Sequence, residues 1–136
     1  MITIQHLTKT YKGNVHALRG IDLDIQPAGM FGLLGVNGAG KTTLMRIIAG
    51  LLNPTSGEVR VFGNDMTTAQ GKLATKAMLG YLPQEFGLYP NLTGREFLDY
   101  VGILKGITSR AGRSQQVADV LDMARLADVA DRPLKT

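Results

Sequence analysis

The chain opens with alternation. Ile2, Ile4 and Leu7 are interleaved with polar residues between Met1 and Tyr11, and in the segment VHALRGIDLDI from Val15 to Ile25 the residues Ile21, Leu23 and Ile25 alternate with Asp22 and Asp24. A period of two with one wet face predicts two antiparallel strands, joined by a turn at Lys12-Gly13-Asn14. After a Pro27-Ala28-Gly29 turn the pattern changes, because Met30 to Leu34 has no polar position at all. Such a run predicts a strand buried on both sides, as in a layered α/β fold, leading directly into a glycine loop. From Thr43 to Leu52 the residues Leu44, Ile47, Ile48, Leu51 and Leu52 fall at helical spacing, with Gly50 weakening the last turn and Asn53-Pro54 stopping it.

Further on, Glu58 to Phe62 is a short β-rich run, Lys72 to Leu79 a weak helix, and Gly80-Tyr81-Leu82 a short strand cut off by Pro83. Thr93 to Glu96 reads TGRE, the spacing of a capping box in which the threonine hydroxyl accepts from the glutamate amide while the glutamate reaches back. Phe97, Leu98, Val101 and Leu104 follow as an apolar stripe, and a last helix from about Ser114 carries Val117, Leu121 and Ala124 on one side. No internal repeat or low-complexity tract interrupts the pattern.

Composition narrows the possibilities. With 136 residues, 44% hydrophobic and 19% charged, the chain has the size and apolar content of one domain or a piece of one. Its longest apolar stretch, Met30 to Val36 counting glycines, falls far short of the ~20 residues of a spanning helix, so no direct membrane insertion is expected. The start MITIQH lacks a basic leader, and the absence of cysteine excludes disulfides and thiolate-bound metals, so a reducing, cytosolic setting is expected. Fifteen Lys+Arg against 11 Asp+Glu give a net charge of +4, but the basic residues are scattered, with Lys72 and Lys76 the one suggestive pair. That is not a nucleic-acid-binding stripe. His6 and His16 read as surface strand residues. Seventeen glycines are the unusual number, since glycine costs backbone entropy wherever it is not needed.

The glycines point to one loop. Gly35-Val36-Asn37-Gly38-Ala39-Gly40-Lys41-Thr42 fits G-x-x-x-x-G-K-[S/T], between an apolar strand pattern and an amphipathic helix pattern, the context this motif requires. Glycines let successive backbone N–H groups turn inward, and the following helix brings the positive end of its dipole to the same point. The loop from Asn37 through Gly38, Ala39 and Gly40 is thus expected to cradle phosphates. Lys41 should reach the β- and γ-phosphates in a charge-assisted contact of roughly 1.5 to 3 kcal/mol. The Thr42 hydroxyl should ligate Mg²⁺, and Thr43 should touch the α-phosphate. A glycine-rich turn without a ligand is the plain alternative.

Such a loop does not by itself separate kinases, GTPases and transport ATPases. The run LLGVNGAGKTTLMRIIAGLLNPTSGEVRVFG from Leu33 to Gly63 and GYLPQEFGLYPNLTGREFLDY from Gly80 to Tyr100 closely resemble the nucleotide-binding subunits of ABC transporters. The nearest subgroup is the bacterial exporters of drugs, antibiotics and other small molecules whose membrane subunit is a separate polypeptide. The resemblance implies an ATP-binding subunit that binds Mg-ATP and, as a complete domain dimer, hydrolyses it to drive export. It implies an α/β P-loop fold with an N-terminal antiparallel β-subdomain. On it, Tyr11 corresponds to the aromatic that stacks on adenine, and Ala17 falls near the ribose or base. Gln84 in LPQE corresponds to the glutamine that ligates Mg²⁺ or the attacking water and reports γ-phosphate to the membrane subunit. An aromatic at a strand end and a polar turn residue are the plain alternatives for Tyr11 and Gln84. Between Glu85 and Leu104 such proteins pack on the transport subunit, so Phe86, Leu88, Tyr89 and Leu92 are either partner contacts or core. The implied partners are a membrane-spanning subunit and a second copy of the ATP-binding subunit, as a homodimer or pseudo-dimer. The implied location is the inner face of the cell membrane.

The resemblance also implies motifs these residues do not contain: an LSGG-like signature, an apolar strand ending in Asp with a catalytic Glu, and a later histidine. The chain is therefore read as the N-terminal part of such a domain: residues 1–29 an antiparallel β region, 30–84 the P-loop core up to the glutamine, and 85–136 a helical subdomain. No catalytic residue is expected within it, and it should bind ATP better than it hydrolyses it. The competing reading is a truncated, non-catalytic nucleotide-binding module. A GTPase or kinase is disfavoured because no Asn-Lys-x-Asp base-reading motif occurs.

Overall fold

A computed structural model of the chain describes residues 1–27, 29–84, 89 and 91–134. They fall into two units, Met1–Tyr81 and Leu82–Thr136.

In the first unit the alternating segments form the strands expected of them. β1 (Ile2–Tyr11) and β2 (Val15–Ile25) pair antiparallel with Ile2 opposite Ile25 and Tyr11 opposite Val15. β3 (Ser56–Val61) adds antiparallel to the other side of β1, and the two-residue β4 (Asn64–Asp65) completes a sheet of order β2-β1-β3-β4. At His6 the backbone takes a positive φ of 48° and the register with both neighbours slips. This bulge lets Leu7 follow Ile2 and Ile4 onto the buried face although the spacing is three. Helix α1 (Lys41–Ile48) lies on that face: Leu44, Ile47 and Ile48 close a dry cluster with Ile4, Leu7, Leu18, Val59, Val61 and Met66. Helix α2 (Ala69–Met78) is capped by the Thr68 hydroxyl, which accepts from Gly71 N–H at 3.0 Å, and its buried Thr75 donates to Val61 O.

Helix α1 is shorter than its apolar spacing predicts. It ends in a Schellman motif: Gly50 N–H donates to Ile47 O at 3.0 Å and Leu51 N–H to Arg46 O at 2.9 Å, with Gly50 in the left-handed region at φ 68°. Gly50 therefore terminates the helix rather than weakening it, four residues before Pro54. The larger departure is at Met30 to Leu34, which pairs with no strand among the described residues and stands in solvent, Met30 99% and Leu34 92% exposed. A strand dry on both sides needs hydrogen-bonded neighbours to carry its backbone groups, and the described sheet is antiparallel throughout, with β2 and β4 at its edges. Gly80-Tyr81-Leu82 likewise forms no strand, and Leu82 is exposed.

In the second unit, α3 (Gly94–Leu104) begins with the expected capping box: Glu96 N–H donates to Thr93 Oγ1 at 3.2 Å and Thr93 N–H to Glu96 Oε2 at 2.8 Å. Helix α4 (Arg110–Met123) starts four residues before Ser114, because the Ser109 hydroxyl caps it by accepting from Gly112 N–H. Leu98 packs on Val117, Leu121 and Ala130, whereas Leu104 and Ala124 of the predicted stripes are exposed. The helices are tied by Arg113, 11% exposed, whose guanidinium donates to both oxygens of Asp99 at 2.7 and 3.3 Å and to Ile107 O at 2.9 Å. The Arg95 guanidinium beside Asp131 holds that carboxyl below the usual carboxylate range. Among the described residues no helix is long and apolar enough to cross a membrane.

Burial and exposure predict opposite responses to polar or small substitutions. Ile47→Ala should lower the unfolding free energy of the chain by about 2 to 5 kcal/mol in a urea titration. Leu34→Ser should change it by no more than about 0.5 kcal/mol. A large loss at Leu34 would return that segment to a buried strand.

Candidate functional site

The burial of Leu44, Ile47 and Ile48 fixes where α1 begins, and so fixes the loop before it. Ala39 N–H donates to Val36 O at 3.2 Å, closing a turn over Asn37 and Gly38, with Gly38 at φ 82°. Gly40 stands at the N-cap with φ 87°, and the first intrahelical bond runs from Leu44 N–H to Gly40 O at 2.9 Å. The amides of Lys41, Thr42 and Thr43 lie ahead of that bond. Among the described residues no side chain caps the helix, and its first turn holds no acidic residue, so the positive end of the helix dipole is uncompensated there. Lys41 Nζ donates to Gly35 O at 2.6 Å and to Val36 O at 2.8 Å, which draws a full positive charge back over the loop. Asn37, Gly38, Ala39 and Thr42 are exposed, and Thr43 is half-buried.

Two strand residues meet this loop. A Cβ on Gly40 would stand 2.4 Å from Ala17 O and 2.8 Å from Leu18 Cδ2, so the loop's last residue lies directly on the β2 backbone. Tyr11, at the end of β1, is 39% exposed and its hydroxyl shares a 3.2 Å hydrogen bond with Thr43 Oγ1. The first unit therefore gathers Tyr11, Ala17 and residues 37–43, six positions or more apart in sequence, around the start of one helix. Gln84 is exposed and belongs to the second unit.

Sequence reading missed Lys9. Its ammonium lies over the Tyr11 ring at 5.4 Å from the centroid and donates to Asn53 O at 2.8 Å. The signal was present, since residues two apart on a strand share a face. Of the candidate partner-facing residues, Phe86 and Leu88 lie outside the described residues. Tyr89 is 51% exposed and meets Tyr100 edge-on at 5.6 Å and Phe97 at 6.4 Å, and its hydrogen bond pushes the Tyr100 hydroxyl above the ordinary phenol range. Leu92 is half-buried, and its carbonyl accepts from Leu134 N–H at 2.9 Å.

The first unit thus lays an antiparallel layer against a glycine loop and a helix whose first residue is lysine. Residues 18–136 match the sequence pattern of the ABC transporter family, and the chain belongs to that family. It is 47% identical over 110 residues to the uncharacterized ABC transporter ATP-binding protein YhaQ of Bacillus subtilis, covering 81% of this chain and 35% of that protein. It is 41% identical over 133 residues to the probable multidrug ABC transporter ATP-binding protein YbhF of Escherichia coli, covering 97% of this chain and 22% of that one. The chain thus spans about a third or less of these relatives. Among solved structures it is similar to the ATP-binding cassette MJ0796, in a dimeric post-hydrolysis state bound to ADP and Pi. The TM-score is 0.85 at 29% identity, over 98% of this chain and 62% of that one.

The contact between Gly40 and β2 is testable. Gly40→Ala places a methyl group against Ala17 O in a left-handed backbone, and should cost about 1 to 3 kcal/mol of stability in a urea titration. Ala39→Gly, in the exposed part of the loop, should cost less than about 1 kcal/mol.

Proposed function

We propose that the chain is the ATP-binding part of an ABC transporter's nucleotide-binding subunit, and that it binds Mg-ATP at the loop formed by residues 35–43. The observation that carries this is the uncapped, uncompensated first turn of α1 with the Lys41 ammonium beside it, a positive site built from backbone amides and one side chain. A triphosphate fits that set. On binding, Lys41 exchanges the Gly35 and Val36 carbonyls for β- and γ-phosphate oxygens, the amides of Asn37, Gly38 and Gly40 turn to the phosphates while Ala39 N–H keeps the turn closed on Val36 O, and the Thr43 hydroxyl meets the α-phosphate. Tyr11 offers its ring to the base, and Ala17 lines the base or ribose side.

Magnesium fits as well. It takes hard oxygen ligands and keeps waters and phosphates in its shell, so one or two protein oxygens suffice. The exposed Thr42 hydroxyl beside the loop is such a donor. Gln84 is retained as the other ligand on the LPQE resemblance alone. The bound ion would neutralise phosphate charge and orient the γ-phosphoryl group.

For the complete protein the reading extends to ATP hydrolysis coupled to export, with a membrane-spanning subunit and a second ATP-binding subunit as partners, at the inner face of the cell membrane. The named relatives among ABC transporter ATP-binding proteins support it, and the dimeric state of MJ0796 supports the second copy. The 136 residues contain no Asp-Glu pair of the kind the resemblance assigns to activating water, so this chain alone is expected to bind nucleotide better than it hydrolyses it.

Lys41→Ala should abolish Mg-ATP binding in titration calorimetry while leaving the circular dichroism spectrum unchanged. Unchanged affinity would overturn the site. In a multiple-turnover assay the 136-residue chain should release no phosphate above background. Sustained turnover abolished by Lys41→Ala would show that it carries its own catalytic group.

A further inference from the structure

The Tyr11 ring is engaged from two directions before any nucleotide arrives. Its hydroxyl is tied to Thr43, and the Lys9 ammonium covers one ring face at 5.4 Å. Lys9 is itself held, because its Nζ also donates to the Asn53 carbonyl at 2.8 Å, just beyond the Schellman end of α1. A half-buried lysine with a fixed head group is a different object from a solvated one swinging on four methylenes.

We propose that Lys9 is a positioning residue for the nucleotide base: its ammonium occupies one face of the Tyr11 ring, fixing the ring's orientation and leaving the opposite face as the stacking surface. This rests on the assignment of Tyr11 to the base. The physical basis is twofold. A cation over a phenol ring is attracted by the negative face of the π-system, which restrains a half-exposed side chain that would otherwise rotate. With both the cation and the hydroxyl bond in place, less side-chain freedom is lost when a base stacks, so affinity rises without a new contact to the ligand. Lys9 and Asn53 also connect the platform to the far end of the helix whose first turn holds the phosphates, so base and phosphate subsites share one support.

The test compares two probes on the full 136-residue chain, Mg-ATP and magnesium tripolyphosphate, by titration calorimetry. Tripolyphosphate has no base and reads the loop alone. Lys9→Gln keeps a donor for Asn53 O and removes the cation; Lys9→Arg keeps the cation. Lys9→Gln should weaken Mg-ATP about two- to fivefold and leave tripolyphosphate unchanged, and Lys9→Arg should restore most of the ATP affinity. In a Tyr11→Ala background Lys9→Gln should have no further effect on ATP. Equal weakening of both probes, or the same weakening in the Tyr11→Ala background, would mean that Lys9 acts through net charge or loop integrity, and would overturn the proposal. So would an unchanged ATP affinity in Lys9→Gln when Tyr11→Ala weakens it. If Tyr11→Ala itself leaves ATP binding intact, it is the base assignment that fails, and if Lys41→Ala does so, the nucleotide site.

Discussion

Three apolar side chains on one face of α1 hold the rest of the first unit in register. Leu44, Ile47 and Ile48 stay dry only if the helix lies across β1, β2 and β3 at one setting, and that setting brings its first turn to the ends of β1 and β2. The loop before the helix then has little choice. It must return from the exposed Leu34 to Lys41 in a few residues, and it does so with a turn over Asn37-Gly38 and a left-handed Gly40. The polar chemistry of the site is a by-product of apolar packing on the other side of the helix: dispersion and burial supply the energy, and unpaired amides are what the geometry leaves at the end.

Much of this was readable from the chain. Period-two alternation placed β1 and β2 and the turn between them, the TGRE spacing placed the start of α3, and the glycine-lysine-threonine pattern placed the loop. What could be read was local, meaning a property of residues within a few positions of each other. The end of α1 was missed although its signal was local too, because apolar spacing continues through Leu51 and Leu52 while the backbone has already turned left-handed at Gly50. The tie between Arg113 and Asp99 was missed for the opposite reason, since nothing near either residue announces a partner fourteen positions away.

Met30 to Leu34 shows where composition misleads. An all-apolar run reports that a segment is suited to burial on both faces, but burial needs neighbours, and a strand is a property of the strands beside it. Among the described residues no such neighbour is present, so residues with strong strand character form no strand and stay wet. The solved cassettes similar to this chain are longer, with 62% of MJ0796 covered.

The near-contact of Gly40 with the Ala17 carbonyl has a metrical consequence. Gly40 meets the Ala17 carbonyl main chain to main chain, with the Leu18 side chain alongside, so the interval between β2 and the first turn of α1 is set there by backbone. Backbone spacers do not change length when side chains are exchanged. The span between β2 and the start of α1 therefore behaves as a ruler of fixed length: sequence drift at exposed positions can change the chemistry on either side of it, but not the distance between them.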